Sequence, residues 1–209
     1  MATIGDTELV SDSTNVLALE CARRRRSLAA RRERSPTRLA GAHRMLRPRD
    51  GAHFGLLALC TGGRDRGSFA LQTDALREQL DRDLRVITCH APHLRLEVAL
   101  TDLSAGMRRS VLHEDLIGPL TATWPAICWG FDDDRQAGRG YYVDACFAIN
   151  ARRRDGSRAN ICDGGLTDWT ARLLADHKER LLISGLGGEH LIDVAAAELA
   201  VRHAGQKHD

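Results

Sequence analysis

Apolar residues recur with a definite period only beyond residue 52. Residues 53–60 (H-F-G-L-L-A-L-C) form a short apolar run ended by T-G-G-R-D-R-G, the pattern of a strand entering a polar loop. Ser68 stands where a helix N-cap belongs, and Phe69, Leu76, Leu80 and Leu84 follow at near-helical spacing. Over residues 94–103 the chain alternates. Leu94, Leu96, Val98 and Leu100 share one face and Arg95, Glu97 and Ala99 the other, which predicts a half-exposed strand. Met107, Val111, Leu112 and Leu116 predict a second helix closing near Gly118-Pro119, and residues 126–131 read as a buried strand.

The remaining pattern is an alternating strand over 141–151, a turn at Asp155-Gly156, and a returning strand ending at Cys162. A loop D-G-G-L, a helix over 167–178, a strand over 181–184 and a helix over 189–203 complete it, with Gly205 at the C-cap position. Short hairpin connections demand antiparallel pairing. The expected fold is therefore α+β, an antiparallel sheet flanked by helices and not a doubly wound parallel sheet.

Charge divides the chain differently. Residues 1–50 carry eleven arginines against six acids, although the whole chain has a formal charge of only +2. With Arg23 to Arg26 consecutive and little apolar periodicity, residues 1–50 are expected to be a disordered arginine-rich tail, with 51–205 as one domain. Such a tail is either solvated or an RNA-attracting arm through residues 23–49. Cys21, Cys60, Cys89, Cys128, Cys146 and Cys162 lack any C-x-x-C pairing and read as buried small hydrophobes, with no metal site. Asp132, Asp133 and Asp134 read as a solvated acidic turn rather than a Mg²⁺ site. No apolar run reaches the roughly eighteen residues of a membrane span, so a cytoplasmic protein is expected.

Candidate chemistry lies between residues 132 and 191. Tyr141-Tyr142 is followed by Phe147, by Gly164-Gly165 and Asp168, and then by G-L-G-G-E-H-L from Gly185 to Leu191. The last segment lacks the order of a dinucleotide fingerprint and the lysine of a P-loop. Together the spacings resemble the C-terminal half of the catalytic domain of histidyl-tRNA synthetases and of their paralogue, the regulatory subunit of ATP phosphoribosyltransferase. There an R-G-L-D-Y-Y-x-x-x-x-F strand, a G-G-R-Y-D turn and a G-x-E-R-L class II motif 3 stand at similar separations. The clear match covers about residues 126–192.

The resemblance implies a partial class II synthetase core. Tyr141, Tyr142, Gly164, Gly165 and Asp168 would shape an amino-acid pocket, while Gly187, Glu189 and His190 would lie beside a nucleotide, with Arg64 as a candidate cation there. ATP and Mg²⁺ are the implied cofactors, and a homodimer or a complex with an enzyme subunit the implied assembly. The departures are specific. His190 replaces the motif 3 arginine, and histidine supplies no permanent bidentate guanidinium. The arginine four residues before the tyrosine pair is absent, flanked by Arg135 and Arg139 as catalytic stand-ins. No motif 2 arginine can be placed, Arg64 and Arg66 being nearest in sequence, and the first motif 2 strand, motif 1 and the anticodon-binding domain have no visible counterpart. Adenylate formation depends on positioned arginines. The expected function is thus a divergent domain that binds an amino acid or nucleotide in a regulatory or accessory role without charging tRNA; the alternatives are an active adenylate-forming ligase and an RNA-binding adaptor.

Overall fold

The computed structural model describes residues 2–4, 7–9, 12–46 and 53–205. An antiparallel hairpin, β1 (Ala2–Ile4) with β2 (Thr7–Leu9), precedes helix α1 (Ser13–Ala30). The main sheet has seven strands in the order β3 (Thr37–Leu46), β4 (His53–Arg64), β9 (Glu179–Gly187), β8 (Arg158–Thr167), β7 (Ala145–Arg152), β5 (Leu96–Asp102) and β6 (Cys128–Phe131). All neighbours are antiparallel except β5 and β6. That parallel pair needs a crossover, which is supplied by α3 (Arg109–Val111), a π-helical segment (Leu112–Ile117) and α4 (Gly118–Thr123).

On one face α2 (Ala70–His90), the π-helical segment, α4 and α6 (Gly188–Gly205) pack on the sheet. Leu76, Leu80, Leu84 and Ile87 of α2 are buried there with Val98, Leu100, Phe147, Ile149 and Leu182. On the other face lie α1 and α5 (Trp169–Leu174), where Ala18 and Cys21 pack on Cys60, Leu181 and Ile183. The molecule is α+β, as the apolar run of residues 53–60, the alternation of 94–103 and the hairpin pattern of 141–162 predict, although β7 begins at Ala145 and not at Tyr141.

Residues 12–46 correct the expectation of a disordered tail: α1 and β3 are part of the folded body. Asp12 caps α1 by accepting the Thr14 N–H at 2.8 Å. The helix buries Thr14, Ala18, Cys21, Ala22 and Arg25 along one stripe. Four of these are small or polar and the fifth is an arginine, so no hydrophobic period reveals them. Contact is close because β4 offers Gly62, whose added Cβ would stand 2.4 Å from Cys21 Sγ. Arg25 donates to both carboxylate oxygens of Glu179 at 2.8 and 2.9 Å and to the Ser35 carbonyl at 2.6 Å. Both charged side chains are at most 5% exposed.

Smaller differences have local causes. Ser68 does not cap α2; the residue before the helix is Phe69, with φ +60° and no side-chain cap. β5 is buried on both faces from Leu96 to Thr101, whereas β6 is an edge strand and only half-buried. The helical run passes through Gly118-Pro119, since a proline in a first turn gives up no hydrogen bond. β8 does not end at Cys162 but continues through D-G-G-L to Thr167, and α5 ends at Leu174, where Ala175 turns left-handed. Cys89 and Cys128 are exposed; the other four cysteines are buried. Among the described residues no helix is long and apolar enough to cross a membrane.

Among the polar groups sealed beneath α2 is a carboxylate. Asp83 of α2 accepts from Ser184 Oγ at 3.1 Å and Cys162 Sγ at 3.4 Å, while its other oxygen has no partner among the described residues. Burial pushes its carboxyl up to about 6.

Two outcomes follow for stability. Removing one partner of a buried ion pair strands the other charge, so Arg25→Ala should cost about 3–5 kcal/mol, seen as a lowered urea midpoint; a solvated tail would leave that midpoint unchanged. The folded chain holds the Asp83 proton more tightly than the unfolded chain does, so stability should fall as pH rises from about 4 through 6 and then level off. Asp83→Asn should flatten that step in denaturation curves recorded across the range.

Candidate functional site

Strand alternation divides the sheet residues between its two faces. Those on the α1 face include Cys146 of β7, Asp163 and Gly165 of β8, Ile183 and Gly185 of β9, and Phe54 and Leu56 of β4. A cavity of about 370 Å³ opens here, between the start of α1 and the segment before β7. It is lined by Asp12, Thr14, Phe54, Leu56, Tyr141, Tyr142, Asp163, Ile183, Ser184 and Gly185.

Tyr142 and Asp163 form its polar wall. The tyrosine hydroxyl donates to Asp163 Oδ1 at 2.8 Å, and Arg135 is ion-paired with Oδ2. The Arg135 side chain is 8% exposed, although it comes from a surface loop. Burial, then the Asp163 charge, push the Tyr142 phenol well above its ordinary range, so it stays a neutral donor. Tyr141 meets Tyr142 edge-on at 4.8 Å between centroids and Trp169 at 5.3 Å. Burial raises its phenol too.

The two glycines of β8 have different duties. A Cβ on Gly165 would stand 2.5 Å from the Tyr142 ring and 2.7 Å from Cys146 Cβ, so the bare backbone is what lets the tyrosine lie against β8. Gly164 faces the principal core, where a Cβ would meet Phe147 Cζ at 2.5 Å and the Ile183 carbonyl at 2.8 Å. It seats Phe147 and does not line the cavity.

The other sequence-derived candidates scatter. Arg139 is exposed and donates to the carbonyls of Arg135 at 2.6 Å and Asp133 at 3.1 Å, fixing the loop that delivers Arg135. Asp168 is exposed at the start of α5, 4.0 Å from Arg172, and outside the cavity lining. Gly187, Glu189 and His190 stand together at the start of α6. There the Glu189 carboxylate accepts the Gly55 N–H, a bond that holds its pKa below the ordinary value. His190 is exposed. Arg64 is not with them: Leu56 pairs with Gly187 and Arg64 with Glu179, a separation of eight residues along β4 or about 27 Å at strand rise. It is ion-paired with Asp176.

Sequence reasoning missed Asp12, Thr14, Phe54 and Asp163. Continuing the β8 alternation through D-G-G-L would have put Asp163 beside Tyr142. β3 corrects a second expectation, because it is the hairpin partner of β4 that looked absent. Among the described residues no group of three His, Cys, Asp or Glu side chains is placed to hold a metal ion.

The described lining carries two carboxylates, Asp12 and Asp163, three aromatic rings and no arginine or lysine. Such a cavity suits a small cation, held by carboxylates and ring faces. It does not suit a triphosphate, since Arg135 is already committed to Asp163. Replacing Gly165 with alanine should expel the Tyr142 ring from this wall. Near-ultraviolet circular dichroism, sensitive to the Tyr141–Tyr142–Trp169 cluster, should lose intensity while the far-ultraviolet spectrum is retained.

Neither a protein-family model nor any curated protein matches the sequence. Solved structures do. The apo histidyl-tRNA synthetase of S. aureus aligns with a TM-score of 0.69 and 16% identity over 91% of this chain and 52% of its own. An ATP phosphoribosyltransferase regulatory subunit/histidyl-tRNA synthetase from Bacillus halodurans aligns with a TM-score of 0.57 and 13% identity, covering 88% of this chain and 63% of that one. The Thermotoga maritima ATP phosphoribosyl transferase (HisG:HisZ) complex gives 0.50 and 12%, covering 78% of each chain. This chain thus spans about half the length of the S. aureus enzyme. In fold, it is a histidyl-tRNA synthetase-like class II core.

Proposed function

We propose that this domain binds a small amine, an amino acid held by its ammonium group, in a regulatory or accessory role and without charging tRNA. One observation carries the reading: the 370 Å³ cavity presents Asp12 and Asp163 beside Tyr141, Tyr142 and Phe54, with no arginine or lysine among its described lining residues. An ammonium entering it exchanges water for carboxylate oxygens and aromatic faces, while the α-carboxylate stays toward solvent.

The missing chemistry supports the accessory role. Amino-acid activation builds charge on phosphorus, and each lost donor costs two to three powers of ten in rate. Here His190 is exposed in place of an arginine, Arg139 is spent on loop carbonyls, and Arg135 neutralises Asp163. An enzyme subunit as partner is part of the proposal, supported by the fold shared with the HisG:HisZ complex. ATP and Mg²⁺ are not part of it: with Arg135 closed on Asp163 the described lining offers a triphosphate no free guanidinium or ammonium, and no group of three His, Cys, Asp or Glu side chains among the described residues is placed to hold a metal ion.

Calorimetric titration with the twenty amino acids and their N-acetyl derivatives tests this reading. Free amino acids should bind and acetylated ones should not. Asp12→Asn keeps a good helix cap yet removes one charge, so it should weaken binding about tenfold with an unchanged melting temperature. Amino-acid-dependent ATP–pyrophosphate exchange should be undetectable. Equal binding of acetylated ligands, or exchange abolished by Arg139→Ala, would overturn the proposal.

A further inference from the structure

A second concavity, about 720 Å³ in volume, lies at the opposite end of β4 and β9. Three separate segments build it: Arg34 from the α1–β3 connection, Arg64 to Gly67 from the end of β4 and the loop beyond, and Lys178 from the turn before β9. The last two are tied by the Asp65 N–H donating to the Lys178 carbonyl at 2.7 Å. The first is fixed by Arg25, which holds the Ser35 carbonyl at 2.6 Å from within a buried ion pair.

The lining carries four cations, Arg34, Arg64, Arg66 and Lys178, against the single carboxylate of Asp65. Asp65 is already taken by Arg180 at 2.8 Å. Arg64 and Arg66 are steadied by Asp176 and Asp74. Among the described residues Arg34 and Lys178 have no side-chain partner, and they approach the cleft from segments far apart in sequence. Two uncompensated positive charges thus converge, beside two guanidiniums whose orientation is set by ion pairs. Guanidinium forks and an ammonium are the donors that suit phosphate oxygens, and the volume is that of a small-molecule site.

We propose that this cleft is a second ligand site, distinct from the amine cavity, and that it takes the phosphate groups of a small phosphorylated molecule. Pyrophosphate and the oligophosphate of a nucleotide share that chemistry. The two guanidiniums would bracket bridging phosphate oxygens while Arg34 and Lys178 balance the terminal charge. Arg64, expected from the sequence to lie beside Gly187, then belongs to a separate anion site about 27 Å away along β4.

Calorimetry of the intact chain at low salt, with inorganic pyrophosphate, tripolyphosphate and ATP as probes, tests the proposal. All three should bind, more weakly as salt rises. The double variant Arg34→Ala/Lys178→Ala alters two exposed side chains, so it should fold normally and lose at least about tenfold in affinity. Asp12→Asn should leave phosphate binding untouched, which separates this site from the amine cavity. Equal affinity for ATP and tripolyphosphate means that the phosphate chain alone is read; tighter ATP means that the nucleoside adds contacts, and either result sustains the site. No binding of any probe, or binding unaffected by the double variant, refutes it. So does a mixed-sequence single-stranded RNA that binds far more tightly than tripolyphosphate and is lost in the double variant, because the cleft would then be part of a nucleic-acid track.

Discussion

The ion pair between Arg25 and Glu179 is the constraint on which both ends of the molecule depend. Glu179 is the first residue of β9, the strand beside β4 in the sheet, and Arg25 lies near the end of α1. With both side chains nearly sealed from water, separation would leave a bare charge in the interior. The pair fixes the last turns of α1, and Ala18 and Cys21, packed on Cys60, Leu181 and Ile183, carry that placement back toward its start. The start of the helix brings Asp12 and Thr14 to the cavity over β8 and β9, and the chain leaving its end carries Arg34 to the basic cleft. Helix α1 is the beam between two concavities of opposite charge.

That segregation of charge follows from elements of different origin. Around the cavity at the start of α1 the polar groups come from a helix start and from strand positions facing α1, and their cation, Arg135, is drawn out of the lining to neutralise Asp163. Around the cleft they come from three connections, where arginines are braced by neighbouring aspartates and, among the described residues, two cations remain unopposed. Connecting segments are where long cationic side chains can converge without being buried. Edges of strands and helix starts favour short acceptors.

How much of this was legible in the residues depends on the size of the side chains involved. Alternation and turn signals disclosed β4, β5, the hairpin at Asp155-Gly156 and the last helix, because large apolar residues mark them. Helix α1 stayed hidden because its buried stripe is made of Thr14, Ala18, Cys21, Ala22 and Arg25, and an arginine run reads as solvated until Glu179 is found opposite it. The D-G-G-L segment read as a loop for a related reason. Its glycines signal a turn in sequence, but here one accommodates Phe147 and the other Tyr142 on opposite faces of a continuous strand. The tyrosine pair was visible as a candidate; its partner Asp163 was not, since the strand seemed to end one residue before it.

The position of Arg135 decides what the cavity at the start of α1 is suited to do. A guanidinium that serves phosphoryl chemistry must be free to follow charge as it develops. Arg135 is instead almost buried and closed on Asp163, and that carboxylate also accepts the Tyr142 hydroxyl. Releasing Arg135 toward a phosphate would leave Asp163 unpaired against a neutral phenol in a partly dehydrated wall, at a cost that grows with its burial. The same arrangement is favourable for holding a ligand, because it orients Asp163 before anything arrives and reduces the ordering that binding requires. A cavity whose carboxylate is oriented in advance, with no arginine or lysine among its described lining residues, is the geometry on which the proposed recognition role rests.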